Sequence, residues 1–575
     1  MSFFGGDMKT KLPIILLMPL ATISSLSGCG GKQTTPTDAS KTQIYVNNFR
    51  RGFGSEWLDS LCRRFEEANK DISYEEGKTG VQIIVSNIGS PADSRMGSIL
   101  GNRDEVYFTE QSYYFDFQTY NGVNLLEDIT DVVTEPLTEY NETRSIEDKL
   151  TDEQKDFYGV KGGATPRYYA LAHYNGFFGF NYDVDLFDKY GFYFAETPLS
   201  GTNGQFITTR NAVKSSGPNG ILGDWDDGLP KTYDQFYQLC DYMVFKGCIP
   251  WVASSKEAFG YMNLLVNSMA TDHEGMEQMF NKFKNSGTMT DLGEVDDSGN
   301  ITKLPATELT KENGYMAYKM LGQYHALKFL KTLHDNPNYH HPNLTATSGY
   351  SAEASQNDFL RSRIFNEKNP SSGTKPIGMI SEGIWWEAET SENSSILADQ
   401  YGEEYRRENR RFAFLPFPKA TEERYAQSHK NTLFDHLFSL VFMKSGIAEW
   451  KKPLIKKFLR FAHTDESLRD FTVKTNTTKA FNYELTAEDE AKMTYYGKTL
   501  VQLKKESDVL YPGNSSSIYI NNASKFHYNE FFFTEPSKGK TVQYAWDGIH
   551  DQNLSAEKYF TGIGTYRQNN WADFH

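Results

Sequence analysis

Two adjacent tryptophans, Trp385 and Trp386, stand between the acidic residues Glu382 and Glu387. An indole ring is a flat apolar surface that can pack against the C–H face of a sugar ring, and a carboxylate can accept hydrogen bonds from hydroxyl groups. Adjacent side chains on an extended segment point to opposite faces, so one tryptophan should face a ligand while the other packs in a core. For the two carboxylates, simple exposure to solvent is the alternative.

Four more candidate binding residues lie at the ends of predicted strands. In an open α/β sheet, ligands bind at the carboxyl ends of parallel strands. Amide, guanidinium and carboxylate groups there could bond hydroxyl groups, and another indole could add a second aromatic platform. The candidates are Asn48 and Arg50 after the first strand, Glu110 after the third, and Trp251 at the end of a later strand.

The segment 217–228 is rich in asparagine, glycine and aspartate. Oxygen atoms suit a hard cation, which makes Asn219, Asp224, Asp226 and Asp227 weak candidates for calcium ligands. The calcium loop of an EF-hand needs alternating Asp or Asn from its first position and a terminal Glu, and the segment lacks both. An Asx-rich turn that anchors the chain is the alternative. We predict no cofactor.

The elements that would position these residues alternate between strands and helices. Apolar residues recur at helical spacing over 56–68, and short β-type runs lie at 42–46, 81–85 and 105–109. Further along the chain, the pattern predicts strands at 249–253 and 437–443 and helices over 184–189, from 232 and over 449–463. This alternation predicts an α/β fold with a parallel sheet. No tandem repeat occurs, which excludes solenoids and propellers.

The net charge and the cysteines argue against several classes of protein. The 575 residues include 59 lysines and arginines against 75 aspartates and glutamates, which gives a net charge of −16. This balance argues against a nucleic-acid-binding protein, which needs a basic surface. Of four cysteines, Cys62, Cys240 and Cys248 lie beyond the amino-terminal region, and their number and spacing indicate neither a disulfide framework nor a zinc site.

The amino terminus has the parts of a secretory signal peptide, which we place at residues 1–28. Two lysines precede a short apolar run over 12–21, which is too short to span a bilayer. The run is followed by Leu-Ser-Gly-Cys29, which resembles the lipobox of bacterial lipoproteins. That resemblance implies a lipid on Cys29, with residues 29–41 as a flexible tether. An ordinary secreted protein is the alternative.

Seven further segments occur in a characteristic order: EWLDSLCRRFEEAN, VNLLEDITD, ALAHYNGFFGFNYDVDLFDKYG, LPKTYDQFYQLCDYMVFKGCIPW, IGMISEGIWWEAE, RFAFLPFPKA and FMKSGIAEWKKPLIKKFLRFAHTDESLRDF. This set resembles the extracytoplasmic solute-binding proteins of ABC importers, of the large carbohydrate-binding type. The resemblance implies two α/β lobes joined by hinge crossings, with a ligand cleft between them that closes on binding. It also implies a carbohydrate ligand, an ABC permease as partner, and a lipid-anchored position outside the cytoplasmic membrane.

The resemblance also implies roles for particular residues. The family has a stacking aromatic where Trp385 and Trp386 lie, and we expect Trp386 to face the cleft. Asp435 and His436 fall near the second crossing, where they would bind ligand or serve as polar groups of the hinge. We expect a first lobe over 42–172 with 435–495 and a second lobe over 173–434 with 496–575.

Two other functions remain open, a lipid-anchored glycoside hydrolase and a cell-surface glycan adhesin. The sequence contains no Gly-x-Ser-x-Gly, no His-Glu-x-x-His and no glycine-rich phosphate loop. Glycosidases carry no short general motif, since a pair of carboxylates is sufficient for their chemistry. We predict a monomeric binding protein that is not an enzyme.

Overall fold

The computed structural model describes residues 36–49, 52–86, 101–110, 119–120, 123–160, 165–346, 348–436, 439–511, 530–535 and 540–574. The predicted signal peptide, Cys29 and Arg50 lie outside these residues, as does the side chain of Glu110. None of the described helices combines the length and apolarity needed to span a bilayer.

The strands are mostly short, and nine of them form the two main sheets. In chain order they are β1 (Thr42–Asn48), β2 (Val81–Ser86), β3 (Val106–Glu110), β4 (Thr119–Tyr120), β5 (Val123–Asn124), β6 (Gly159–Val160), β7 (Arg167–Tyr168), β8 (Leu171–Ala172), β9 (Phe178–Asp183), β10 (Ile249–Val252), β11 (Gly287–Met289), β12 (Gly293–Val295), β13 (Ile301–Lys303), β14 (Thr307–Leu309), β15 (Ile377–Gly383), β16 (Phe412–Phe414), β17 (Thr432–Phe434), β18 (Ser439–Met443), β19 (Asp508–Leu510), β20 (Phe533–Glu535) and β21 (Lys540–Val542).

The α-helices lie between and after these strands. They are α1 (Glu56–Ala68), α2 (Thr130–Thr134), α3 (Asp152–Tyr158), α4 (Val184–Tyr190), α5 (Tyr233–Phe245), α6 (Ala258–Lys284), α7 (Leu321–Asp335), α8 (Asn343–Ala346), α9 (Ala352–Lys368), α10 (Trp386–Glu389), α11 (Ser391–Tyr401), α12 (Glu422–Gln427), α13 (Lys452–Ala462), α14 (Asp465–Thr475), α15 (Ala487–Ala491), α16 (Tyr495–Glu506) and α17 (Ala556–Asn570). Thr232 caps α5 by accepting a hydrogen bond from the backbone N–H of Gln235, as its position before the apolar stripe predicted.

The first lobe is built on a five-stranded sheet in the order β2-β1-β3-β18-β8. β1 pairs in parallel with β2 and β3, whereas β18 runs antiparallel to β3 and β8. Helix α1 buries Trp57, Leu58, Leu61 and Phe65 in the core of this lobe. The predicted parallel pairing is therefore confirmed for the amino-terminal strands, and β18 adds an antiparallel strand from a distant part of the chain.

The second lobe is built on a four-stranded sheet in the order β10-β15-β9-β16. β10 and β15 are parallel, and β9 runs antiparallel to β15 and β16. All seven residues of β15 are buried, which is the pattern of a strand covered on both faces. The carboxyl end of this strand leads directly to the tryptophan pair.

Each lobe has its own hydrophobic core, and the two cores divide the chain into alternating segments. The first core contains side chains between residues 44 and 174, 279 and 320, and 434 and 511. The second contains side chains between 177 and 433 and between 496 and 574. Parts of 279–320, together with Leu510 and Tyr511, join the first core although they fall within the ranges predicted for the second lobe. The long helix α6 accounts for the start of the first of these parts, because its last turns place Met279 and Phe283 in the first core.

Candidate ligand site between the two lobes

Trp385 lies at the boundary between the lobes. Its half-buried ring packs against both hydrophobic cores. On one side it covers Gly383, where an added Cβ would come within 2.2 Å of the ring atom Cη2. On the other side it meets the loop after β1, because a Cβ on Gly52 would lie 3.2 Å from the Cβ of Trp385. An indole in this position can serve as a platform for a ligand held between the lobes.

Trp386 occupies a different environment, and the expectation that it faces the cleft is corrected. Its ring is fully buried in the second core, edge-on to Phe359, Phe412 and Tyr496 at centroid distances of 5.5, 5.0 and 5.8 Å. The two tryptophans do point to different surroundings, but the backbone is not extended here. Trp385 has right-handed helical angles, and α10 begins at Trp386. The two rings therefore point apart at a helical turn and not along a strand, and Trp385, not the expected Trp386, lies at the boundary between the lobes.

Trp251 is also buried, so the expectation of a second aromatic platform is corrected. Its Nε1 donates a hydrogen bond of 2.7 Å to Oγ of Ser381, and its ring lies 6.1 Å from that of Phe180. The side chain is part of the second core and presents no open face to a ligand.

Glu382 and Glu387 are buried in the second lobe, which corrects both the expectation that they accept hydrogen bonds from a ligand and the alternative that they are exposed to solvent. The amide of Gln356 donates to Oε1 of Glu382 at 3.2 Å and to Oε2 of Glu389 at 2.9 Å. Burial raises the pKa of Glu382 well above its ordinary value, and the nearby carboxylate of Glu389 raises it further. Thr494 Oγ1 donates to Oε2 of Glu387 at 2.9 Å. Both carboxyl groups therefore have partners inside the lobe.

Glu387 should make the stability of the protein depend on pH. Burial raises its pKa from 4.5 to about 7, so the folded chain binds a proton that the unfolded chain releases between these values, and stability falls as the pH rises through this range. Glu387→Gln keeps the shape and removes the charge. We expect it to raise the free energy of unfolding by about 1–3 kcal/mol near pH 8 and to change it little below about pH 4. Urea unfolding at several pH values measures this, and an equal effect at all pH values would contradict it.

The first lobe contributes the ends of β1 and β3 to the same boundary. Asn48 pairs in register with Phe108, so the ends of these parallel strands lie side by side. Asn48 is buried, and its Nδ2 donates a hydrogen bond of 3.3 Å to the carbonyl of Gly54. It thereby supports the loop that approaches Trp385. A role in ligand binding for Asn48, Arg50 and Glu110 remains a prediction.

Asp435 belongs to a buried polar network that joins the segments crossing between the lobes. Nδ2 of Asn175 donates to Oδ2 of Asp435 at 2.7 Å and to the hydroxyl oxygen of Tyr511 at 3.1 Å. Thr478 Oγ1 donates to Oδ1 of Asn175 at 2.7 Å, and the backbone N–H of Gly176 donates to Oδ1 of Asp435 at 3.2 Å. Of the two roles left open for Asp435, this geometry favours the hinge.

His436 and the strand before it are anchored on helix α6. Nε2 of His436 lies 3.2 Å from Oγ of Ser268, and its ring packs edge-on to Phe434. One helical turn further along α6, both oxygens of Asp272 accept hydrogen bonds of 2.9 Å from Nζ of Lys419. The Asp272 Oδ1 atom also accepts from the backbone N–H of Thr432, the first residue of β17. These bonds fix the segment that leads into the crossing.

Sequence reasoning missed a buried lysine close to the hinge network. Lys479 follows Thr478, and its Nζ lies 2.5 Å from Nδ1 of His173 and 4.3 Å from the ring centroid of Phe471. Burial lowers the pKa of Lys479 and that of His173 well below their ordinary values. No local pattern could have revealed this pair, because its members are 306 positions apart.

The aspartate-rich loop closes on itself through side-chain to backbone bonds. Asn219 Oδ1 accepts from the N–H of Ile221, and Asp226 Oδ2 accepts from the N–H of Asn219 at 2.9 Å. Asp227 Oδ2 accepts from the N–H of Gly223, and Asn219 Nδ2 donates to Asp224. Such bonds are typical of an Asx-rich turn, although the three aspartates also lie close enough to share one ion. A calcium role therefore stays open, and the absence of a cofactor stays a prediction.

No family model and no curated protein matches the sequence. The comparison with known proteins therefore rests on the fold. Among solved structures, a chitin oligosaccharide binding protein is similar over 93% of this chain and 100% of its own, with a TM-score of 0.53 and 15% identity. The chain has the fold of this solute-binding protein. The expected two-lobed α/β fold is thereby confirmed.

Two further solved structures are similar over most of their length. The solute-binding protein RafE in complex with raffinose covers 92% of this chain and 99% of its own, with a TM-score of 0.48 and 11% identity. A probable secreted solute-binding lipoprotein from Streptomyces coelicolor covers 92% and 99%, with a TM-score of 0.46 and 13% identity. Their lower scores add no weight to the fold, which rests on the first comparison and on the two sheets.

Proposed function

We propose that this protein is the lipid-anchored, extracytoplasmic solute-binding component of an ABC importer and that it captures an oligosaccharide between its lobes. The observation that carries the proposal is the two-lobed fold shared with an oligosaccharide-binding protein, with Trp385 in contact with both lobes. In this proposal Cys29 holds the lipid, the chain acts as a monomer, and its partner is the permease in the membrane. No chemistry on the sugar is required.

The position of Trp385 supports a sugar ligand better than a charged one. The side chain offers a flat apolar ring beside the end of β1, where Asn48 lies, and beside the end of β15. A sugar ring needs an apolar surface for its C–H face and a few fixed polar groups for its hydroxyls. A ligand that contacts both lobes would bind their closed arrangement more tightly than their open one. It would stabilise the closed arrangement by that difference in binding free energy.

Trp385→Ala should weaken saccharide binding at least tenfold, because the variant loses the apolar contact area of the ring and about 0.5–1.5 kcal/mol of aromatic packing beyond that area. A panel of oligosaccharides is first screened by thermal shift, since a ligand that binds only the folded state raises the Tm. The ligand found is then titrated into both proteins by calorimetry. The matched control is Trp450→Ala, which removes a surface tryptophan that is 52% exposed. Equal affinity in the Trp385 and Trp450 variants would contradict the proposed platform.

The same panel separates a binding protein from a glycoside hydrolase. We expect each bound oligosaccharide to be recovered intact after long incubation with the protein, as judged by chromatography. Product formation at an enzymatic rate, lost when a buried acid such as Glu382 is replaced by glutamine, would overturn the proposal. Binding of peptides with no response to any glycan would overturn the choice of ligand and leave the two-lobed binder.

A further inference from the structure

A cavity of about 560 Å³ lies beside a break in helix α6, and none of its lining residues belongs to the site at the lobe boundary. Gly275 interrupts the helix with φ 82° and ψ 174°, a conformation that favours glycine. The break turns the preceding residues His273 and Glu274 into the wall of the cavity. Asp291, in the loop between β11 and β12, and His325, in α7, line the same cavity.

Two polar side chains in this wall are buried and have atoms without a partner among the described residues. His273 is 7% exposed and Glu274 is 5% exposed. Nδ1 of His273 and Oε2 of Glu274 make no hydrogen bond within the described part of the chain. A buried polar atom left without a partner destabilises the fold, and a ligand bound at these two atoms would recover that loss.

The remaining atoms hold these groups in a defined arrangement. Nε2 of His273 lies 3.0 Å from Oδ2 of Asp291, and Oε1 of Glu274 accepts a hydrogen bond of 2.7 Å from the backbone N–H of Gly322. Lys303 bonds the other oxygen of Asp291. One ligand atom from each of His273, Glu274 and Asp291 lies within 4.8 Å of the others. The ring of His325 is 5.0 Å from the ring of His273 and places a second imidazole beside the group.

We infer that His273, Glu274 and Asp291 form a binding site for a divalent transition-metal ion of the zinc type. Imidazole nitrogen and carboxylate oxygen are the ligands such ions take at about 2.0–2.2 Å. Two ligands of a tetrahedral ion are then roughly 3.4 Å apart, so small side-chain rotations suffice to close the observed group around one ion. His325 lies beside this three-ligand group, with its ring 5.0 Å from that of His273, and is not part of it.

The site is tested on the full-length, untagged protein after dialysis against a chelator. Zn²⁺ alone is titrated by calorimetry, and bound metal is counted by elemental analysis after gel filtration. We expect close to one ion per chain and a metal-dependent rise in Tm. Co²⁺ in the same site should show the visible absorption of a tetrahedral complex. Binding of no ion, or of an ion only at other residues, would overturn the inference.

Glu274→Gln provides the decisive variant, because its side-chain oxygen can still accept the hydrogen bond from Gly322 while the variant loses a carboxylate ligand. We expect the metal-free variant to melt at or above the wild-type temperature and to bind Zn²⁺ at least tenfold more weakly. His429→Gln, which changes a histidine outside the cavity wall, should bind like the wild type. Unchanged Zn²⁺ affinity in Glu274→Gln would contradict the site. Saccharide binding is measured in the same samples, so that failure of this inference is distinguished from failure of the proposed function.

Discussion

Trp386→Ala should lower the free energy of unfolding by about 3–5 kcal/mol, because it removes a fully buried indole and leaves a cavity among Phe359, Phe412 and Tyr496. This packing lies in the second core, away from the surface of the lobe. Urea unfolding followed by circular dichroism measures the loss. A change below about 1 kcal/mol would show that the ring is not packed as described.

The adjacent residue offers the matched control for that experiment. Trp385→Ala removes the same side chain from a half-buried position, so we expect a smaller loss of about 1–2 kcal/mol together with the loss of saccharide binding. Trp386→Ala should thus mainly lower stability, and Trp385→Ala should mainly weaken saccharide binding. A large stability loss for Trp385→Ala, together with lost saccharide binding by Trp386→Ala at a low temperature where that variant is folded, would reverse the assignment of the two rings.

Lys419→Met should lower the free energy of unfolding by a similar amount, about 3–5 kcal/mol. The ammonium group is buried and donates to both oxygens of Asp272. Its removal leaves a buried carboxylate whose remaining donors, among the described residues, are the neutral groups of Asn431 and Thr432. The effect should reach the hinge, because Thr432 begins the strand that leads to Asp435. Hydrogen exchange of the β17 amides in the variant measures this local loosening.

The double variant Lys419→Met with Asp272→Asn provides the control for that pair. Replacing both members removes the uncompensated charge, and an amide at position 272 can still accept the hydrogen bond from Thr432. We expect the double variant to be more stable than Lys419→Met alone. If it is less stable by the sum of the two single losses, the two groups do not interact, and the ion pair has no part in anchoring β17.

The local elements of this fold could be predicted from sequence because each is set by a local pattern. The apolar stripe of α1 and the cap at Thr232 are contained within a few residues of chain. The strand β18 was placed correctly, but its antiparallel direction depends on pairing with β3, more than 300 positions earlier. Direction and sheet order are tertiary properties, and a short apolar run carries no signal for them.

The candidate site could be predicted only in part, for the same reason. The alternation of side chains along a strand correctly predicts different surroundings for Trp385 and Trp386. It assumes an extended chain, however, where the backbone turns into α10. The burial of Trp251, Glu382 and Glu387 depends on what packs above the sheet, which their neighbours in sequence do not reveal. The network around Asn175 joins residues from four distant segments and could be seen only in the fold.

That network has a mechanical consequence for the connection between the lobes. A single covalent link would let one lobe swing and twist freely relative to the other. Here the segments at Asn175, Asp435, Thr478 and Tyr511 are bonded side by side into one band. Such a band can bend like a hinge while its hydrogen bonds stay intact. Twisting would stretch the short hydrogen bonds between the neighbouring segments, so twisting is the harder motion. We expect this band to restrict any opening and closing of the lobes to one path, on which the two walls of the cleft meet in the same register each time.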